Sequence, residues 1–171
     1  MVVMADKSVP TSDHIRDIIS FVEASPTSYH AVVELTRRLE QAGFQRLEET
    51  ESWPSVEGRR YVVRDGAVIA WITPEKVTPQ LGARIVGSHT DSPSFKLKPN
   101  ATVTNQGWQQ VGMEVYGGGL LNSWLDRDLG LSGRLVTCDG QAHLVRSGPL
   151  LRISQLAPHL ERTVNAVAAT P

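Results

Sequence analysis

Arg84-Ile85-Val86-Gly87-Ser88-His89-Thr90-Asp91-Ser92-Pro93-Ser94-Phe95-Lys96-Leu97 is the stretch around which the chain is organised. Ile85 and Val86 read as the end of a buried strand, Gly87 and Ser88 break it, and Pro93 blocks any simple continuation. His89 and Asp91 thus fall where the backbone leaves a sheet, the place where open α/β sheets form their sites. Two positions apart on extended backbone, they point to the same side. An imidazole there can hold a metal, and a neighbouring carboxylate can orient the ring. The same pair also fits a strand-end loop with a solvated aspartate, so the decision rests on the surroundings.

Upstream, Thr11, Ser12 and Asp13 offer capping oxygens to a helix whose apolar residues Ile15, Ile18, Ile19 and Val22 recur at helical spacing. It ends near Ser25-Pro26. A second helix starts at Thr27-Ser28, with Ala31, Val32, Leu35, Leu39 and Ala42 on its inward face. Glu34 and Arg38 are oriented for an i,i+4 pair, and Gly43 suits the position just past the helix end. Near the start of that helix, His30 reads as a surface or capping residue. Arg60–Arg64 and Ala67–Thr73 flank Asp65-Gly66, which predicts a β-hairpin closed by a type I′ turn. A proline-containing connection then leads to the strand that ends at Gly87.

Downstream of Pro99 the pattern changes to short β segments. Thr102, Val103 and Thr104 lie in a polar run, Val111–Val115 is a strand candidate, and Gly117-Gly118-Gly119 follows Tyr116. No Lys-Ser/Thr and no helix follow the glycines, which predicts a tight bend or close backbone approach rather than a phosphate loop. Gly133–Val145 reads as another hairpin around Asp139-Gly140, and Pro149–Ile153 as one more strand. Pro158-His159-Leu160-Glu161-Arg162 opens a polar, helix-compatible segment. The residues therefore divide into an α/β region, 1–98, and a β-rich region, 99–171.

The 171 residues are 40% hydrophobic and 20% charged, with net charge −1, an ordinary globular composition. That balance gives no electrostatic reason to expect nucleic acid or an anionic membrane as partner. The start of the chain has no long apolar run, and a single cysteine, Cys138, cannot form an internal disulfide. A cytoplasmic location and an inert core thiol are the expectations.

A hydrolytic zinc site needs about three protein ligands, so His89 requires company. Glu48-Glu49 has the look of a base-plus-ligand pair but lies in a polar run that reads as a solvated loop. Asp126 and Asp128 flank Arg127, an arrangement expected to form a structural ion-pair network. His14 and His143 lack metal-ligand spacing. The chain holds a piece of a metal site and not a complete one.

Three segments in order carry a resemblance: Ser25-Pro26-Thr27-Ser28-Tyr29-His30-Ala31-Val32, Gly87-Ser88-His89-Thr90-Asp91-Ser92-Pro93, and Tyr116-Gly117-Gly118-Gly119 through Trp124-Leu125-Asp126-Arg127-Asp128-Leu129. Together they resemble the aspartyl aminopeptidases, cytosolic two-zinc metallopeptidases. The resemblance implies an N-terminal portion of such an enzyme: the start of a three-layer α/β/α catalytic domain over 1–98, then the start of a β-rich inserted dimerisation domain over 99–171. It implies His89 as a zinc ligand and Asp91 as the carboxylate that orients it. It also implies removal of acidic N-terminal residues from peptides by a water activated between two Zn2+ ions, and assembly into a dodecamer. His159 is then the local match for a histidine that reaches a neighbouring subunit's active site. The family's general base and remaining metal ligands match no position here, so the chain alone is expected to be inactive. Two other readings stay open, a non-catalytic oligomerisation module and part of another His-x-Asp metallohydrolase. The glycine-rich Tyr116–Asp128 segment speaks against the latter.

Overall fold

The computed structural model describes residues 12–53, 57–76, 78, 82–160 and 162. Thr11 lies outside the described residues, which fall into two compact units, one within 1–91 and 133–144, the other within 92–132 and 145–171.

In the first unit, helix α1 (Asp13–Ala24) starts where Ser12 Oγ accepts from the Ile15 amide, and helix α2 (Ser28–Gln41) starts where Thr27 accepts from the His30 amide. These caps satisfy amides that a helix start leaves without partners. His30 Nδ1 lies 2.8 Å from the same Thr27 hydroxyl, which places His30 in the cap, as expected. Gly43, at φ 80°, closes α2: its amide bonds to Glu40 O and that of Phe44 to Leu39 O, the paired bonds of a Schellman end. Arg38 joins the helices through two 2.8 Å bonds to Asp17 and lies over the Phe21 ring. The predicted Glu34–Arg38 pair is present at 2.7 Å, and Arg37 adds two further bonds. These guanidiniums, Arg37 first, hold the buried Glu34 carboxyl at about 2, well below its ordinary 4.5.

Strands β1 (Gln45–Arg46), β2 (Gly58–Arg64) and β3 (Ala67–Thr73) form a sheet in that order, β1 parallel and β3 antiparallel to β2. Ala31 and Val32 of α2 are buried, as are Tyr61 and Val62 of β2. Tyr61 donates to Glu40 at 2.6 Å, and burial, reinforced by that carboxylate, pushes its hydroxyl up to about 12. Leu35 and Leu39 are half-buried, while Ala42, also expected inward, is exposed. The apolar side of α1 is about half exposed at Ile15, Ile18 and Ile19.

The Asp65-Gly66 hairpin forms at the predicted register, with Arg64 opposite Ala67. Its turn differs from the type I′ expectation. Asp65 has a positive φ of 51°, but Gly66 is not in the left-handed region. The glycine is needed for proximity, because a Cβ there would sit 2.7 Å from Ser28 Oγ.

In the second unit, β4 (Ser94–Asn105) and β5 (Trp108–Tyr116) make a long antiparallel ribbon. Gln106 and Gly107 both have positive φ, 50° and 79°, and supply the two-residue turn that the sequence reading did not single out. Pro99 falls inside β4, where the register shifts between Leu97 and Thr102, so its missing amide costs no ladder bond. Gly117, at φ 70°, brings the chain against Pro93, where a Cβ would lie 3.3 Å from the ring. The triple glycine is thus the expected bend. Phe95 meets Trp124 edge-on at 5.5 Å, at the end of a 3-10 turn (Leu121–Trp124).

Short strand β6 (Asp128–Leu129) is followed by the hairpin β7 (Ser132–Val136) and β8 (Ala142–Arg146), as predicted. A Thr137–Gly140 turn with Gly140 at φ 81° closes that hairpin. Cys138 lies in this turn and is exposed, not in a core. Strand β9 (Leu151–Arg152) pairs with β6.

Candidate functional site

The segment 82–89 forms no strand, and Ile85 and Val86 are 88% and 99% exposed. This corrects the expectation of a buried strand end. A strand exists through the ladder it joins, and among the described residues no partner lies beside this one. The turn of chain at His89–Asp91 is nevertheless built. His89 Nδ1 donates to the Asp91 carbonyl oxygen at 2.5 Å, with the Asp91 carboxylate 3.5 Å from the same nitrogen. A ring whose Nδ1 carries the proton presents Nε2 as a lone-pair donor, the tautomer a metal-binding histidine needs. The His89 side chain is 77% exposed, so Nε2 is accessible. Chemically the pair fits one corner of a zinc site.

Thr90 was not singled out in the sequence. Its hydroxyl donates to the Gly66 carbonyl at 2.6 Å, tying the corner to the β2–β3 turn. The partner lies 24 positions away, and a threonine between two more conspicuous residues is the only local signal.

The other candidates separate from this corner. Glu48 pairs with Arg46 at 2.7 Å, and Glu49 with Arg64 at 2.8 Å, as exposed loop carboxylates. Asp126 and Asp128 do join an ion-pair network, but their cation is Arg152, at 3.8 and 3.9 Å. Arg127, the expected partner, donates to Ser123 O instead. His159 is exposed in the Pro158–Leu160 turn, and Glu161 of the same motif lies outside the described residues. A cleft of 210 Å³ in the first unit is lined by residues including Tyr29, Thr36, Val63, Asp65 and Arg134, and not by His89 or Asp91. Among the described residues, no group of three or more His, Cys, Asp or Glu could hold a metal ion. No described helix is long and apolar enough to cross a membrane.

Comparison with known proteins identifies the family. A probable M18 family aminopeptidase 2 of Streptomyces avermitilis is 54% identical over 153 residues, which cover 89% of this chain and 35% of that protein. The chain thus spans about a third of the length of the curated relatives it matches. The solved structure of the Ape4 and Nbr1 complex superposes with a TM-score of 0.77 at 39% identity, covering 91% of this chain and 31% of that one. The dodecamer of S. cerevisiae mApe1 does so at 0.76 and 33%, covering 86% and 36%. The mixed α/β fold also matches an M18 family aminopeptidase of Thermotoga maritima, with a TM-score of 0.72 at 27% identity, covering 86% of this chain and 33% of that one. Residues 21–170 match the family described as aminopeptidase I zinc metalloprotease (M18), and the chain belongs to that family.

Proposed function

We propose that this chain supplies one metal-binding corner and the opening of the association region of a two-zinc aminopeptidase that releases acidic N-terminal residues from peptides in the cytoplasm. The observation that carries the reading is the His89 Nδ1 bond to the Asp91 carbonyl, which leaves Nε2 free in a chain of zinc-peptidase family. Zinc bound there supplies Lewis acidity toward a peptide carbonyl and an attacking water. His89 provides a neutral nitrogen ligand. Asp91 holds the ring's tautomer through its carbonyl, and its carboxylate adds negative charge beside the imidazole. The preference for acidic residues rests on the resemblance of the three motifs to aspartyl aminopeptidases.

The region 99–171 is read as the beginning of an inserted domain that serves association. A relative that forms a dodecamer supports this, as do exposed apolar side chains at Val115, Leu120 and Leu150. His159 is read as the residue that reaches substrate in a neighbouring subunit. The general base lies outside the residues assigned here.

The test is made in the complete polypeptide, with zinc content and hydrolysis of an aspartyl arylamide as readouts. His89→Ala is expected to lose zinc and activity together. Asp91→Asn keeps the carbonyl that holds the ring and removes only the carboxylate charge beside it, and is expected to retain zinc and weaken its binding far less than His89→Ala does. Unchanged zinc stoichiometry in His89→Ala overturns the ligand assignment. For His159→Ala, loss of activity with the oligomer intact supports the role across the interface, and normal activity removes it.

A further inference from the structure

We propose that Thr90 is the positioning residue of this corner, setting the place of the His89 imidazole by anchoring the loop to the Asp65-Gly66 turn. The inference rests on the reading of His89 as a metal ligand. Among the described residues, side-chain packing does not hold the approach to His89: Ile85 and Val86 are 88% and 99% exposed. A polar anchor does so next to it: the Thr90 hydroxyl donates to the Gly66 carbonyl at 2.6 Å.

An anchor is useful only if its other end is fixed, and Gly66 is held on two sides. Its backbone packs so closely on the start of α2 that a Cβ would lie 2.7 Å from Ser28 Oγ and 3.6 Å from the Tyr29 ring. The preceding residue, Asp65, is held by Arg134 at 2.5 Å, and Arg134 in turn lies over the Tyr29 ring at 4.4 Å. The carbonyl that receives Thr90 therefore belongs to a braced turn.

Threonine suits the task. Its β-branched side chain is stiff at χ1, so fixing the hydroxyl also fixes the backbone to which His89 is joined. The ring is then oriented from its other side by the Asp91 carbonyl. Thr90 sets position and Asp91 sets tautomer. Valine would keep the branching and volume but lose the donor, whereas serine would keep the donor on a less restricted side chain.

The experiment measures zinc affinity by competition with a chromophoric chelator, together with kcat and KM for an aspartyl arylamide, in the complete polypeptide. Thr90→Val is expected to weaken zinc about 10-fold or more and to lower kcat while KM stays unchanged. Thr90→Ser is expected to recover most of both. Wild-type zinc affinity in Thr90→Val, while His89→Ala has lost its zinc, overturns the positioning role and leaves the ligand assignment standing. Failure of serine to recover what valine loses also overturns it. Wild-type zinc in His89→Ala removes the ligand reading, and the Thr90 proposal with it. Arg134→Ala loosens the turn without touching the His89 loop, and serves if Thr90→Val does not fold. It is expected to weaken zinc in the same direction by a smaller factor, and wild-type affinity there counts against the proposal.

Discussion

Arg134 bridges Asp65 at 2.5 Å and lies 4.4 Å over the Tyr29 ring, although Asp65 is 69 positions earlier in the chain. One guanidinium thus ties the β7–β8 hairpin to the β2–β3 turn and to the start of α2. The arrangement combines a planar fork with a ring face, which an ammonium group reproduces poorly. Arg134→Ala is expected to lower the melting temperature, and Arg134→Lys to recover only part of the loss. Equal melting temperatures for the arginine and alanine forms would show that the contact contributes nothing.

Glu34 makes stability depend on pH in a predictable direction. Its folded carboxyl is held at about 2 against an ordinary 4.5 by the bonds from Arg37 and Arg38. A depressed folded value means stabilisation that is fully present above the ordinary value and is lost as pH falls toward 2. Because Arg37 is half exposed, the full shift is discounted to about 2 kcal/mol at neutral pH. Urea melts at pH 7 and at pH 3 are expected to differ by less in Glu34→Gln than in wild type. An identical difference in both proteins would place the acid sensitivity elsewhere.

Two glycines are predicted to be intolerant for different reasons. Gly66→Ala places a Cβ 2.7 Å from Ser28 Oγ, which can rotate away, and 3.1 Å from Ser28 Cβ, which cannot, and such overpacking costs about 1–3 kcal/mol. Gly117→Ala combines a φ of 70° with Pro93 at 3.3 Å, and the left-handed backbone by itself costs about 1–2 kcal/mol. Gly118 has open space around its Cβ position and no left-handed φ, so Gly118→Ala serves as the neutral control. Chemical denaturation of the three variants should rank them accordingly.

The 171-residue chain by itself is expected to show no metal-dependent hydrolysis of aspartyl or glutamyl arylamides with zinc, manganese or cobalt. One histidine corner falls short of the three protein ligands that a catalytic zinc typically uses. Turnover that requires added metal and survives removal of contaminating peptidases would overturn this expectation.

The features legible in the sequence are those set by neighbours a few residues apart. Ser12 and Thr27 cap helices because their oxygens reach amides three positions on, and Gly43 ends α2 because it alone there accepts φ 80° cheaply. The Glu34–Arg38 pair, the hairpin at Asp65-Gly66 and the bend at Gly117 follow from the same short range. His89 and Asp91 could be picked out because two positions of backbone suffice to bring them together. Tertiary structure decided the rest. Ile85 and Val86 have the composition of a buried strand, but burial depends on a neighbouring strand that the described residues do not provide. Arg152 rather than the adjacent Arg127 meets Asp126 and Asp128, because an ion pair follows distance in space and not order along the chain. Thr90 and Gly66, like Arg134 and Asp65, become partners only when separate elements pack, so neither residue's local sequence records the contact.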